Sequence, residues 1–253
     1  MIISKTPFRI SFFGGGTDFP IYYNKYGGCV LGTTINKYCY VSIRKLEKVF
    51  KYKYRIVWSE NEILNKISKT KNPVVKSVLS NLKPKFNSEI HFQADLPKNT
   101  GLGSSSAFCV GLINTIAKFN NRNLKKSEIA RLAIKIEQKI MNDYCGVQDQ
   151  IWSSYGGMNF ITFKKGNRFS VKKIKISHKR KKELENNLLL MFTGKKRFSR
   201  EIEKSKQKSI NNKIIFLNKI KQITLKSKKL LEKNKNLDNF GKLLNEYWVL
   251  KKQ

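Results

Sequence analysis

Three stretches of the chain carry side chains whose types and spacing could do chemistry. The first, PKNTGLGSSSAFCVGL at 97–112, places a Pro and two glycines before three consecutive hydroxyls and then an apolar run. A strand ending near Pro97, a tight turn at Gly101 and Gly103 and a helix beginning near Ser104 would present unpaired backbone N–H groups and the positive end of a helix dipole. Such a concave surface suits phosphate. Gly101 and Gly103 would let the backbone approach an anion closely, and Ser104, Ser105 and Ser106 could bond phosphate oxygens or a metal. A capped, buried helix is the plainer alternative, since Ser is a common N-cap. Neither GxxxxGK[ST] nor GxGxxG occurs in the chain, so the familiar nucleotide loops lack their defining residues.

The second and third stretches each supply a carboxylate. In SEIARLAIKIEQKIM, the apolar positions 129, 132, 133, 136 and 140 form one helical stripe, and Glu137 interrupts the row 129, 133, 137, 141. An ionised carboxylate facing a core is costly unless it meets a cation or a hydrogen-bond network, and Mg2+ beside phosphates is a natural partner. A salt bridge to a buried Arg, or a place on the solvated edge of the stripe, would also satisfy it. In CGVQDQIWSSYGG, Asp149 stands between two glutamines shortly after Gly146. That position suits a carboxylate held in a site, although Asp near a turn is ordinary.

The elements that must position these groups are legible in outline. Residues 2–58 read as strands and turns, with a Gly triplet in IISKTPFRISFFGGGTDF and alternation in CVLGTTINKYCYVSIRKL and KYRIVW. A helical stretch is expected near 60–82, and SEIHFQADLP reads as a strand ending at Pro97. From about 127 the chain reads as mostly helical, apart from a strand pair at 157–176 and a short strand at 188–193, with Lys-rich helices last.

Composition sets outer bounds. With 253 residues and 40% hydrophobic content, the chain can bury a substantial core. The longest nearly unbroken apolar stretch, 108–119, is interrupted by Asn114 and Lys118 and falls short of the roughly 20 residues of a membrane span. Lys5 and Arg9 lie inside what would be the apolar region of a signal peptide, so the expectation is a cytoplasmic protein with no membrane partner. Cys29, Cys39, Cys109 and Cys145 form no CxxC pair and read as reduced packing residues. His91 and His178 have no second His or Cys at metal-ligand spacing, which argues against zinc.

The formal charge of +35 ordinarily points to nucleic acid or an anionic membrane. Its distribution weakens that reading. Residues 1–150 hold 24 Lys and Arg against 10 Asp and Glu, residues 151–253 hold 28 against 7, and no nucleic-acid motif accompanies the excess. No specific nucleic-acid partner is expected. Solvated helix faces can hold most of these lysines.

Taken together, KTPFRISFFGGGTDFP, GGCVLGTTINKYCYVSIR, DLPKNTGLGSSSAF, IEQKIMNDYCGVQDQ, GGMNFITF, MFTGKKRFSREI and EYWVLKK resemble the GHMP kinase superfamily, and within it the D-glycero-D-manno-heptose 7-phosphate kinases. The resemblance covers nearly the whole chain. It implies an α+β GHMP kinase fold: a ribosomal protein S5 domain 2-like, ATP-binding N-terminal domain at 1–180 and the helical start of a C-terminal domain at 181–253. It implies ATP and Mg2+ as cofactors, with phosphates held by Pro97, Asn99, Gly101, Leu102, Gly103, Ser104, Ser105 and Ser106, and with Ser105 and Glu137 on the metal. Asp149 would orient or deprotonate the sugar hydroxyl, and Arg9 would help keep Asp149 charged or stabilise charge near the transferred group. Gly16, Thr17 and Asp18 align with a motif that contacts sugar hydroxyls, and Lys195 and Arg197 are the implied binders of a sugar phosphate's own phosphate. The implied reaction is phosphorylation of heptose 7-phosphate at its anomeric hydroxyl, for nucleotide-activated heptose synthesis.

Two other readings stand beside this one: another sugar 1-kinase such as a fucokinase, or a catalytically inactive binder of ATP or sugar. The family's third, Gly-rich motif has no counterpart before Gln253, so the expectation is an incomplete C-terminal domain. The oligomeric state has no sequence signal.

Overall fold

The computed structural model describes residues 1–98, 100–191, 194, 210–233 and 235–252. The chain forms two compact units that interleave in sequence. The first holds Met1–Arg9, Thr34–Cys145 and Asp149–Gly156, and the second holds Ile10–Thr33, Gly146–Gln148 and Gly157–Gln253. Strands β1 (Ile2–Phe13) and β2 (Gly28–Lys45) each contribute residues to both units.

In the first unit, β2 pairs antiparallel with β5 (Ser88–Ala94), setting Ile43 opposite Ile90 and Val41 opposite Phe92. β3 (Tyr54–Val57) runs parallel to β5 and antiparallel to β4 (Asn61–Leu64), while β1 pairs with β2. The alternation in the sequence is used directly: Cys39, Val41 and Ile43 are buried at a period of two. They join a core with α2 (Pro73–Leu82), α3 (Ser104–Phe119) and α4 (Lys126–Lys135) that includes Leu79, Leu112, Ile116 and Ala133.

The helical stretch expected near 60–82 is a strand at 61–64 and a 3-10 turn at Ile67–Lys69, and the α-helix begins at Pro73. The physical reason is local: Pro73 fits the first helical turn, and the Asn72 side chain accepts hydrogen bonds from the Val74 and Val75 N–H groups, so the cap fixes the start there. The expected start of α3 at Ser104 is the observed one. This helix lies against β1 through a buried hydroxyl pair: Ser4 Oγ donates to Gly111 O at 3.0 Å and accepts from Thr115 Oγ1 at 2.8 Å. Gly111 permits that approach, since a Cβ there would fall 2.8 Å from Thr6 Oγ1.

In the second unit, Gly28–Thr33 of β2 pairs with β6 (Met158–Lys164), which pairs with β7 (Arg168–Lys173). Among its described residues, the α-helices are α1 (Pro20–Tyr26), α6 (His178–Asn186), α7 (Ile214–Glu232) and α8 (Asp238–Lys252). Phe240 of α8 meets Phe12 and Phe13 edge-on at 5.6 and 5.1 Å. The expected strand at 188–193 is absent over its described residues, 188–191, where Leu189 is 84% exposed. Apolar composition alone does not make a strand when no neighbour pairs with its backbone. Among the described residues, no helix is long and apolar enough to cross a membrane.

Candidate active site

The loop before α3 is built from two left-handed glycines, Gly101 at φ 75° and Gly103 at φ 77°, a conformation costly for any residue with a Cβ. Gly103 is the N-cap of α3, and no side chain caps the first turn. The serine-capped helix considered from the sequence is therefore not what forms. Ser104, Ser105 and Ser106 lie inside the first turn instead, where free N–H groups and the helix dipole favour an anion.

Arg9 of β1 ties this loop down twice. Its N–H donates to Leu102 O at 3.1 Å and its Nη1 to Gly101 O at 2.7 Å. The same guanidinium holds Asp149, in the first turn of α5 (Gln148–Tyr155), through Nε to Oδ1 at 2.7 Å and Nη2 to Oδ2 at 2.5 Å. This is a bidentate, directional pair that fixes the carboxylate plane. A Cβ on Gly103 would come within 3.3 Å of Arg9 Cγ and 3.4 Å of Asp149 Oδ2. Arg9, Gly101, Gly103 and Asp149 are thus brought together from three separate parts of the sequence. With Asp149 24% exposed, its carboxylate can still meet a ligand, and each oxygen has a second lone-pair direction beyond the one Arg9 uses.

Glu137 lies in a single π turn, Ile136–Ile140, that follows α4. The wider turn carries the carboxylate into the interior, where it is buried at 4% exposure. Oε2 accepts from Ser106 Oγ at 2.9 Å and from Gln150 Nε2, with Cys145 Sγ at 3.8 Å. Burial pushes this carboxyl up to about 7; the Gln150 and Ser106 hydrogen bonds pull it down, and the nearby Asp149 and Asp143 push it further up. Oε1 has no hydrogen-bond partner. An orphaned, buried carboxylate oxygen fits a cation, and a single protein carboxylate supplemented by phosphate oxygens is the usual donor set for Mg2+. Among the described residues, no group of three or more His, Cys, Asp or Glu side chains could hold a metal. Ser106, rather than the exposed Ser105, is the hydroxyl bonded to Glu137. Gln150 was not singled out in the sequence. Its signal was available in QDQI, where it follows Asp149 directly.

Of the residues expected to meet sugar, Gly16, Thr17 and Asp18 lie in the second unit. Thr17 is fully buried, its Oγ1 lying 2.8 Å from both Gly14 O and Cys29 O and accepting from the Cys29 N–H at 3.2 Å. Its hydroxyl is used to shape the turn. Asp18, 1% exposed, accepts from the Gly16 N–H at 2.9 Å, and Gly146 packs so closely that a Cβ there would lie 1.9 Å from Asp18 Oδ2. Tyr247 of α8, which sequence reasoning passed over, accepts from the Gly15 N–H at 3.0 Å. Pro97 lies before the loop at the surface, and Leu102 is packed partly into the core. Asn99, Lys195 and Arg197 lie outside the described residues.

The family described as GHMP kinases N terminal domain matches residues 70–157, the span from just before α2 to the end of α5. The D-glycero-alpha-D-manno-heptose 7-phosphate kinase of Campylobacter jejuni is 30% identical over 262 residues, covering 99% of this chain and 77% of that protein. The crystal structure of a D-glycero-D-manno-heptose 1-phosphate kinase from Bacteriodes thetaiotaomicron superposes with a TM-score of 0.84 at 26% identity, covering all of this chain and 79% of that one. The mevalonate kinase of Methanococcus jannaschii shares the fold, with a TM-score of 0.69 at 23% identity over 99% of this chain and 78% of that one. The mixed helix-and-sheet architecture expected from the sequence is the one these kinases have. With a kinase relative 30% identical across 99% of this chain and 77% of its own length, the chain belongs to the GHMP kinase family.

Proposed function

We propose that this kinase transfers the γ-phosphoryl group of ATP, with Mg2+, to the anomeric hydroxyl of D-glycero-D-manno-heptose 7-phosphate, giving the 1,7-bisphosphate. The observation that carries the reading is the Arg9–Asp149 pair set against the uncapped start of α3. The acceptor is argued from the match of 99% of this chain to a heptose 7-phosphate kinase.

The backbone N–H groups of the Gly101–Ser106 segment receive phosphate oxygens, with Pro97 and Leu102 framing the turn and Asn99 proposed as a further contact. Glu137, with Ser105 or Ser106, would hold Mg2+, which when bound offsets the negative charge of the phosphates. Asp149 accepts the hydrogen bond of the anomeric hydroxyl and then its proton, so that the oxygen forms its bond to phosphorus as the bond to ADP breaks. Arg9 holds both Asp149 oxygens in one plane and contributes fixed positive charge. Gly16 and Asp18 are the proposed sugar contacts, in a turn shaped by Thr17, and Lys195 and Arg197 are proposed to meet the acceptor's phosphate.

The test is phosphoryl transfer to a panel of sugars and sugar phosphates that includes heptose 7-phosphate, the unphosphorylated heptose and fucose, with products identified by phosphorus NMR. Formation of the 1,7-bisphosphate as the preferred product is expected. Preference for fucose or for any unphosphorylated sugar overturns the assignment of the acceptor.

A further inference from the structure

Glu137 is held by an uneven set of donors. Ser106 Oγ donates to Oε2 at 2.9 Å, Gln150 Nε2 donates to the same oxygen and Cys145 Sγ lies 3.8 Å from it, while Oε1 accepts from nothing. The three are a hydroxyl, an amide and a thiol, none of them a cation. A buried carboxylate kept for stability alone would pair with a cation or spread its donors over both oxygens, because each oxygen left bare keeps its cost of leaving water. Here that cost falls on one oxygen only.

Gln150 makes the same point from its own side. It is 0% exposed and its Oε1 has no hydrogen-bond partner, whereas Nε2 meets Glu137 Oε2 and lies 3.7 Å from Cys145 Sγ. A core position filled for packing would hold an apolar side chain of this size, with no oxygen to desolvate. An amide whose carbonyl is left bare is kept for its N–H. An amide is also the donor that suits a cation site: a Lys or Arg at 150 would neutralise the carboxylate and compete with a metal, while an amide fixes one oxygen and leaves the charge for the other.

The two strong donors come from the two helices that matter. Ser106 stands in the first turn of α3, directly after the Gly101–Gly103 loop, and Gln150 follows Asp149 in the first turn of α5. Successive helical residues point about 100° apart, so one turn of α5 sends Asp149 to Arg9 and Gln150 to Glu137. We propose that Gln150 is the positioning residue of the cation site: its amide N–H, with the Ser106 hydroxyl, fixes Glu137 Oε2 so that Oε1 is the oxygen presented to the metal, and ties that carboxylate to the turn that carries the proposed base. The inference rests on the Mg2+ reading of Glu137 above.

The test reads metal binding directly. Mn2+, which takes the same oxygen ligands as Mg2+ and has an EPR signal, is titrated into the full chain with ADP present, and ADP binding without metal is measured by calorimetry in EDTA. Gln150→Met keeps the size of the side chain and removes the N–H. It is expected to weaken Mn2+ binding by about ten-fold or more, the usual effect of losing a hydrogen bond to a charged group, with metal-free ADP affinity within about two-fold of the parent. Gln150→Asn, which withdraws the amide by one methylene, should do the same and decides the matter if Gln150→Met does not fold. In a Glu137→Gln background neither change should weaken Mn2+ binding further, because Gln150 acts only through that carboxylate. Parental Mn2+ affinity in a folded Gln150 variant, or a loss of the same size in both backgrounds, overturns the inference and leaves the metal reading of Glu137 standing. Loss of metal-free ADP binding in both variants makes Gln150 a packing residue and also overturns it. Parental Mn2+ affinity in Glu137→Gln, or no Mn2+ bound by the parent, overturns the metal reading itself and the inference with it.

Discussion

Asp149 and Glu137 are both carboxylates of the first unit, yet their surroundings assign them different work. Asp149 is partly open and held in plane by Arg9, so Asp149→Asn should keep the side chain's size while losing the proton acceptor and one of the two oxygens that Arg9 bonds. Turnover is expected to fall by about 10^2- to 10^4-fold with MgATP affinity nearly unchanged, measured by steady-state kinetics alongside nucleotide titration. Glu137 is closed in, and its carboxyl is pushed up to about 7 by burial. The sign follows from that direction. Relative to an unfolded carboxyl near 4.5, the folded protein favours the protonated form, so its contribution to stability is full below about 4.5 and is lost as pH rises through about 7. Glu137→Gln should therefore stabilise the metal-free chain at pH 8 by about 1–3 kcal/mol and leave it nearly unchanged at pH 4, read from urea denaturation. Because a cation needs the ionised form, parental MgATP affinity should weaken as pH falls below 7, and Glu137→Gln should bind MgATP poorly at every pH.

The start of α3 depends on two glycines that do different things. At Gly101 an added Cβ meets nothing within 4 Å, so Gly101→Ala adds only left-handed strain, about 1 kcal/mol. At Gly103 the same strain is joined by contact with Arg9 and Asp149, and a β-branched side chain would also fill the mouth of the anion site. Gly103→Val is expected to abolish MgATP binding in a titration, whereas Gly101→Ala weakens it modestly; normal binding by Gly103→Val would reduce the loop to a helix start. The Gly-triplet turn makes a similar distinction. Thr17→Val removes a buried hydroxyl from among Gly14 O, Cys29 O and Cys29 N–H, and should cost about 1–3 kcal/mol in denaturant unfolding while leaving KM for the sugar within about two-fold. A large rise in that KM at unchanged stability would make Thr17 a direct sugar contact.

The charge of +35 belongs to the chain as a whole rather than to any one feature. Lys219, Lys226, Lys229 and Lys233 of α7 and its end are all exposed, while Leu217, Ile220, Ile223, Leu230 and Leu231 face the core. Exposed lysines of this kind are screened by salt within about 10 Å and are held by no fixed partner geometry. Changing the four to Gln should leave kcat/KM for the sugar phosphate within about two-fold at physiological salt, while shallowing the salt dependence of any binding to polyanions. A loss of about ten-fold or more would mean that diffuse charge gathers the acceptor.

The turn, the helix after it and the inward place of Glu137 were legible in the sequence because each follows from short-range rules, Gly opening a turn and an acid interrupting an apolar stripe, whereas Asp149 was singled out through the family resemblance. Alternation likewise located β2 and β3, since a strand with one buried face carries that period. Local reading failed at 61–64 and at 188–191, where strand pairing and capping outweigh composition. What only the tertiary structure decided is which distant groups meet. No spacing in the sequence says that Arg9 bonds Asp149 across 140 residues, that Ser106 rather than Ser105 reaches Glu137, or that Tyr247 closes on Gly15. Those contacts arise because strands and helices carry their side chains to fixed positions in a packed core, and the identity of a neighbour is a property of the packing, not of the local chain.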